Sequence, residues 1–166
     1  MGIPQARFFL RFKCDIIAFV IDSRVLKPDL TTFESNCRDL GLPFTLQRRA
    51  IAEVVLDALD HPTADDIHDR LGDGFKSISR ATVFRTLETF ANYGLIQRVA
   101  HPGSAARFDG RVDRHHHLIC ENCSKMVDLN DSSLDDLPIK IKSRQGFRIS
   151  DFSVQLRGIC SDCSGK

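Results

Sequence analysis

The densest chemistry in this 166-residue chain lies between Asp113 and Cys123, where His115, His116 and His117 run directly into Leu118-Ile119 and then Cys120-Glu-Asn-Cys123. The apolar pair after the histidines marks a strand, and successive strand side chains point to opposite faces. His115 and His117 then share a face and can grip one metal, while His116 points away. A solvated surface cluster is the competing reading. A second pair, Cys160-Ser-Asp-Cys163, follows far downstream. A single Cys-x-x-Cys could be a redox motif. Two of them supply four thiolates, enough for a closed tetrahedral zinc site with Zn–S bonds of about 2.3 Å. Structural zinc on Cys120, Cys123, Cys160 and Cys163 is the expectation, in preference to disulfides. The long interval between the pairs leaves room for a strand–helix–strand unit.

Composition sets the limits around this chemistry. Hydrophobic residues make up 42% and charged residues 27%, as in ordinary soluble globular proteins with a real core. The net charge of +1 says nothing in favour of nucleic acid. Thiols in metal-type spacing suit a reducing compartment, hence the cytoplasm. Cys14 and Cys37 belong to no motif and read as small buried or half-buried thiols. No apolar segment reaches the roughly 18 residues of a membrane span. The apolar run within Arg7–Val25 is interrupted by charges and is followed by no small-x-small cleavage site, so it does not read as a signal peptide. Residues 1–26 carry no motif; either translation starts at Val25 through a GTG codon, or the segment is an N-terminal helix or arm. A zinc enzyme is disfavoured, because four thiolates leave no open metal position and no motif pairs a base with a nucleophile.

The remaining elements are read from periodicity and caps. Thr31-Thr-Phe-Glu34 has the capping-box pattern of a short helix ending near Leu40-Gly41. Thr45 caps a second helix to about Asp60, with Leu46, Ala50, Ile51, Val54, Val55, Ala58 and Leu59 at helical spacing. Thr63-Ala-Asp-Asp66 starts a third helix through Ile67 and Leu71. Ser79 caps a fourth, from Arg80 to about Tyr93, with Gly94 as its stop. Its core stripe is Val83, Leu87, Phe90 and Ala91; Arg80, Thr82, Arg85 and Thr86 lie on the other face. Leu95–Val99, a His101-Pro-Gly-Ser104 turn and Ala106–Phe108 add a two-stranded wing. In such a winged helix-turn-helix the fourth helix enters the major groove. Ser79, Arg80, Thr82, Phe84 and Arg85 are then the DNA-facing residues, with Arg80 and Arg85 reaching guanine edges or phosphates. An ordinary solvated polar face fits the pattern equally, and acidic residues outnumber basic ones between Lys27 and Gly110, so any positive surface must be local. Asp109-Gly-Arg111 reads as a hinge. Beyond it come a strand at Lys125–Leu129, a helix from Ser132/Ser133 to about Arg144, and strands at Phe147–Ile149 and Phe152–Leu156, whose exposed edges suggest a dimer. His68, His101 and His116 read as surface histidines.

Taken together, His61-Pro-Thr-Ala-Asp-Asp-Ile67, Ser79-Arg-Ala-Thr-Val-Phe-Arg-Thr-Leu87, Ala106-Arg-Phe-Asp109, His115-His-His-Leu-Ile-Cys-Glu-Asn-Cys123 and Cys160-x-x-Cys163 resemble the ferric uptake regulator family of metal-dependent repressors over about residues 29–163. The resemblance implies an α+β chain: an N-terminal winged helix (27–108), a hinge (109–114) and a C-terminal α/β dimerisation and zinc-binding domain (115–166). It implies a homodimer on a palindromic operator in double-stranded DNA. It also implies a regulatory metal, Fe2+ or Mn2+, on His61, Asp109, His115, His117 and Asp128, beside the structural Zn2+. Iron-sensing members tend to carry Glu where Asp109 and Asp128 stand, which places the sequence nearer the peroxide-responsive branch. Phe84 replaces a usual Tyr, Arg85 is more like the iron and zinc regulators, and Phe152 replaces a histidine of another metal site. An iron- or zinc-responsive uptake regulator is therefore the alternative. A different class, a protein-interaction module with a vestigial helix-turn-helix, would lack the steep salt dependence of phosphate contacts.

Overall fold

The computed structural model describes residues 28–101, 105–137 and 145–165. Residues 1–26 with Cys14, part of the wing turn, and most of the helix expected over 132–144 lie outside the described residues. Helix α1 (Leu30–Asp39) begins one residue before the expected box. Its cap is Asp29, whose carboxylate accepts the Thr32 N–H at 2.7 Å. A charged acceptor also meets the positive helix terminus, and so wins over the Thr31 hydroxyl. Helix α2 (Leu46–Asp57) has the expected Thr45 cap but stops short of Asp60, because Ala58 is already extended. Leu46 and Leu59, expected in the buried stripe, are 76% and 78% exposed. Leu46 stands on the first turn outside the apolar arc, and Leu59 follows the helix end, where helical period no longer applies.

Helix α3 (Ala64–Arg70) carries a complete capping box between Thr63 and Asp66. Helix α4 (Arg80–Asn92) is capped by Ser79 and closed by Gly94 at φ 71°. Val83, Leu87 and Phe90 of α4 are fully buried, with Phe90 edge-on to Phe33 of α1 at 5.0 Å. Thr86 was expected on the polar face and is buried. It lies three residues after Val83 and four before Phe90, inside their stripe.

The chain then forms a wing of β1 (Gln97–Val99) and β2 (Arg107–Asp109), antiparallel with Gln97 opposite Asp109. Asp109 is thus the last residue of a strand rather than part of a free hinge. Gly110 follows with its backbone pressed on α2: a Cβ there would stand 3.0 Å from the Val55 carbonyl and 3.1 Å from the Leu56 Cα.

Strand β3 (His116–Cys120) is the centre of a second sheet, antiparallel to β4 (Met126–Leu129) and parallel to β5 (Gln155–Gly158). Leu129 at the end of β4 pairs with His116 and Gln155 at the start of β5 pairs with His117, so β5 begins at the end of β3 where β4 stops. Phe147–Ile149 is not a strand, and Phe147 is 77% exposed; only the end of the Phe152–Leu156 stretch pairs, since β3 offers partners from Gln155 onward. On the sheet's inner face Ile119 and Met126 bury Val99 of the wing. On its outer face Leu118, Val127 and Leu156 form an exposed apolar row across all three strands. Among the described residues no helix is long and apolar enough to cross a membrane.

Candidate metal centres

Strand pairing delivers the first centre. His117 faces Asp128 directly across the β3–β4 ladder, and His115 lies two residues before His117, on the same face. Asp109 arrives at the end of β2. His61 arrives from the loop before α3, in the left-handed region at φ 50° and just ahead of Pro62, a conformation that costs about 1–3 kcal/mol for a non-glycine residue. One donor atom from each of His61, Asp109, His115, His117 and Asp128 lies within 4.8 Å of all the others. His61 Nε2 is 2.8 Å from Asp128 Oδ1, His115 Nε2 is 2.8 Å from Asp109 Oδ2, and the Nε2 atoms of His115 and His117 are 3.1 Å apart. All but the half-buried Asp128 are buried. His61 Nε2 and Asp128 Oδ1 pair with each other at that 2.8 Å distance, and buried polar atoms are seldom left without a partner. A cation among them would satisfy both.

The electrostatics agree. Burial opposes the His61 imidazolium, but Asp109 and Asp128 outweigh it and push His61 up to about 9. His115 is raised in the same way against its burial, chiefly by Asp109. Burial and the two neighbouring imidazoles push His117 down to about 4. Burial disfavours the Asp109 carboxylate, yet His115 and His61 hold it below the usual carboxylate range. Without a cation the two carboxylates draw protons onto His61 and His115; a divalent cation would displace those protons, and the nitrogen and oxygen donor set suits Fe2+ or Mn2+.

The second centre joins the turn after β3 to the turn after β5. The sulfurs of Cys120, Cys123, Cys160 and Cys163 also lie within 4.8 Å of one another, with Cys123 and Cys160 3.7 Å apart. All four are free thiols. The backbone N–H groups of Cys123 and Cys160 push the Cys120 thiol down to about 6, toward the thiolate that metals require. Lys125 and Asp162, 3.0 Å apart, link the two turns. Four sulfurs in this arrangement fit tetrahedral zinc.

The model of the ferric uptake regulator family matches residues 39–157. The peroxide operon regulator of Bacillus subtilis is 36% identical over 129 residues, covering 78% of this chain and 89% of that protein. This chain belongs to the ferric uptake regulator family. The peroxide-responsive repressor PerR of Staphylococcus saprophyticus is 32% identical over 141 residues, covering 85% of this chain and 93% of that one. The solved ferric uptake regulator of Pseudomonas aeruginosa with manganese aligns at 27% identity and a TM-score of 0.63, covering 77% and 97% of the two chains.

In this member of the ferric uptake regulator family the DNA-facing candidates stand together at the start of α4. Ser79, Arg80, Phe84 and Arg85 are exposed, and Thr82 is half-buried with its hydroxyl 2.9 Å from that of Ser79. Arg85 borders a cleft with Thr45, Arg48 and Thr89. Arg80 is already engaged by Asp65 at 2.6 Å and Asp69 at 2.8 Å, both on α3. His116, expected at the surface, is 1% exposed. Its ring packs on Phe152 at 5.7 Å and its Nδ1 accepts the Val154 N–H, because the crossover into β5 covers that face of β3. His68 is only half-buried, with Nε2 3.0 Å from the Ile78 carbonyl. Sequence reasoning missed Arg111, a buried guanidinium between Asp113 and Asp128. The only signal was its place between two aspartates in Asp109-Gly-Arg-Val-Asp113.

Proposed function

We propose that this chain is a DNA-binding transcriptional repressor that senses hydrogen peroxide. In this reading His61, Asp109, His115, His117 and Asp128 hold a regulatory Fe2+ or Mn2+, and Cys120, Cys123, Cys160 and Cys163 hold structural Zn2+. The observation that carries it is the convergence of five N/O donors on one buried point, with Asp rather than Glu supplying both carboxylates. Two relatives, one named a peroxide operon regulator and one a peroxide-responsive repressor, support the same assignment.

Residues 27–108 form the DNA-binding part, 109–114 the connector, and 115–166 the dimerisation and zinc part. His61 sits in the first, Asp109 at the junction, and His115, His117 and Asp128 in the last. A cation on all five fixes one relative orientation of the two parts, so metal biases a two-state element. The exposed row of Leu118, Val127 and Leu156 is a fitting surface for a second copy. A twofold dimer presents two α4 helices, which matches a palindromic operator.

Bound Fe2+ would supply the net transfer of one oxygen atom from hydrogen peroxide to an imidazole carbon, the ring giving up two electrons and the second peroxide oxygen leaving as water. His61 and His115 present ring carbons there; a ring that gains oxygen donates more weakly, and the clamp between the two parts loosens. The test is to load the protein anaerobically with Fe2+ or Mn2+, add peroxide, and map peptides by mass while following operator binding. One added oxygen on the His61 or His115 peptide is expected with Fe2+ and not with Mn2+, in step with loss of DNA. An Fe2+ protein that stays unmodified and bound to DNA makes iron-supply sensing the better account.

A further inference from the structure

Arg111 is 6% exposed, unusual for an arginine unless it is paired. Its Nε and Nη2 donate to the two oxygens of Asp113 at 2.8 and 2.5 Å, and its Nη1 donates to Asp128 Oδ2 at 3.0 Å. Its backbone N–H donates to Asp109 Oδ1 at 2.9 Å. One residue therefore engages one oxygen of each carboxylate in the candidate regulatory centre. The other oxygens, Asp109 Oδ2 and Asp128 Oδ1, face His115 and His61. A carboxylate can offer a cation one oxygen or two. Here the second oxygen can turn inward only by breaking its hydrogen bond to Arg111, and a charge-assisted bond of this kind is among the stronger ones.

The charges explain why Asp113 is present. A guanidinium beside a divalent site would repel the cation. Asp109, Asp113 and Asp128 together with Arg111 leave two net negative charges, which a divalent ion neutralises. Asp113 thus offsets the charge of Arg111 while fixing the plane of its fork.

We propose that Arg111 is a positioning residue whose guanidinium limits Asp128 to one oxygen, as its backbone N–H does Asp109, so that the centre has five protein donors and keeps a sixth position for a small ligand. This rests on the regulatory-metal reading above. It assigns the openness of the site to a residue that does not itself face the cation.

The test uses full-length, zinc-replete protein loaded anaerobically with Fe2+ and titrated with nitric oxide, a probe for an open iron position with a distinct EPR signal. Wild type should give the iron–nitrosyl signal. Arg111→Met frees Asp128 Oδ2 to close on the metal, and should retain iron but bind nitric oxide about tenfold or more weakly, the scale on which partners behind metal ligands act. Arg111→Lys keeps a buried cation without the planar fork and should fall between the two; it carries the test if the Met variant does not fold. Variants that hold iron and bind nitric oxide as tightly as wild type overturn the proposal and leave the sensing function standing. Wild-type protein that takes up no Fe2+, or takes up equal amounts after His61→Ala, overturns the regulatory-metal reading instead.

Discussion

Asp128 divides its two oxygens between a cation-seeking cluster and a guanidinium, and one methylene decides how that division holds. Asp128→Glu lengthens the carboxylate enough to offer the metal both oxygens. The expected outcome is metal-dependent DNA binding that survives, with a clear drop in peroxide-dependent oxygen on the His61 and His115 peptides by mass spectrometry. Equal oxidation in both proteins would remove the Asp-for-Glu argument for peroxide sensing. Cys123 stands differently, since its thiol has no role except in the four-sulfur set. In small metal domains the free energy of metal binding is folding free energy. Cys123→Ser should lose zinc and dimer together, measured by metal analysis and size-exclusion chromatography. A folded zinc-free dimer would refute the structural role.

Among the elements, the β2 end and its glycine do the positioning. Gly110 lies against the last turn of α2 with no room for a Cβ, and this holds Asp109 at the cluster. Gly110→Ala must push the strand end away from Val55 and Leu56. A loss of about 1–3 kcal/mol is expected from overpacking, read by thermal unfolding, together with weaker regulatory metal binding by competition assay and undisturbed zinc. How much of this was legible varies by element. The caps at Thr45, Thr63 and Ser79 and the stops at Gly41 and Gly94 could be read directly, because each is a local pairing of one side chain or one φ with nearby backbone. The burial of His116 could not, because it depends on β5 arriving in parallel from a distant segment. Both donor sets were legible from residue type and family pattern. Arg111 was not, since its value lies in reaching β4 across the fold, 17 positions away.

At the scale of the whole molecule, the polar links between the two halves besides the cluster include, among the described residues, Gln155 to the Ala100 carbonyl at 2.7 Å, while Gln97 donates to the Asp113 carbonyl of the connector at 3.2 Å. Removing the regulatory metal with a mild chelator should lower operator affinity while dimer and zinc persist. The four-thiolate site and the apolar row both lie in the second half. Arg85→Ala should leave both metals in place and weaken operator binding. Loss of a guanine contact would cost about 1–3 kcal/mol at one base, whereas loss of a phosphate contact would lower affinity evenly across sequences. No change on any sequence would exclude both roles. Arg80 has a subtler part, because Asp65 and Asp69 already neutralise it. Exposed ion pairs of this kind are worth little and exchange readily. A guanidinium that arrives already paired contributes little to the general pull of phosphates, which governs the hold on random duplex. If Arg80 faces DNA as proposed, Asp65 and Asp69 of α3 weaken its pull on random duplex, and a sequence must offer Arg80 a better partner than these carboxylates to draw it away.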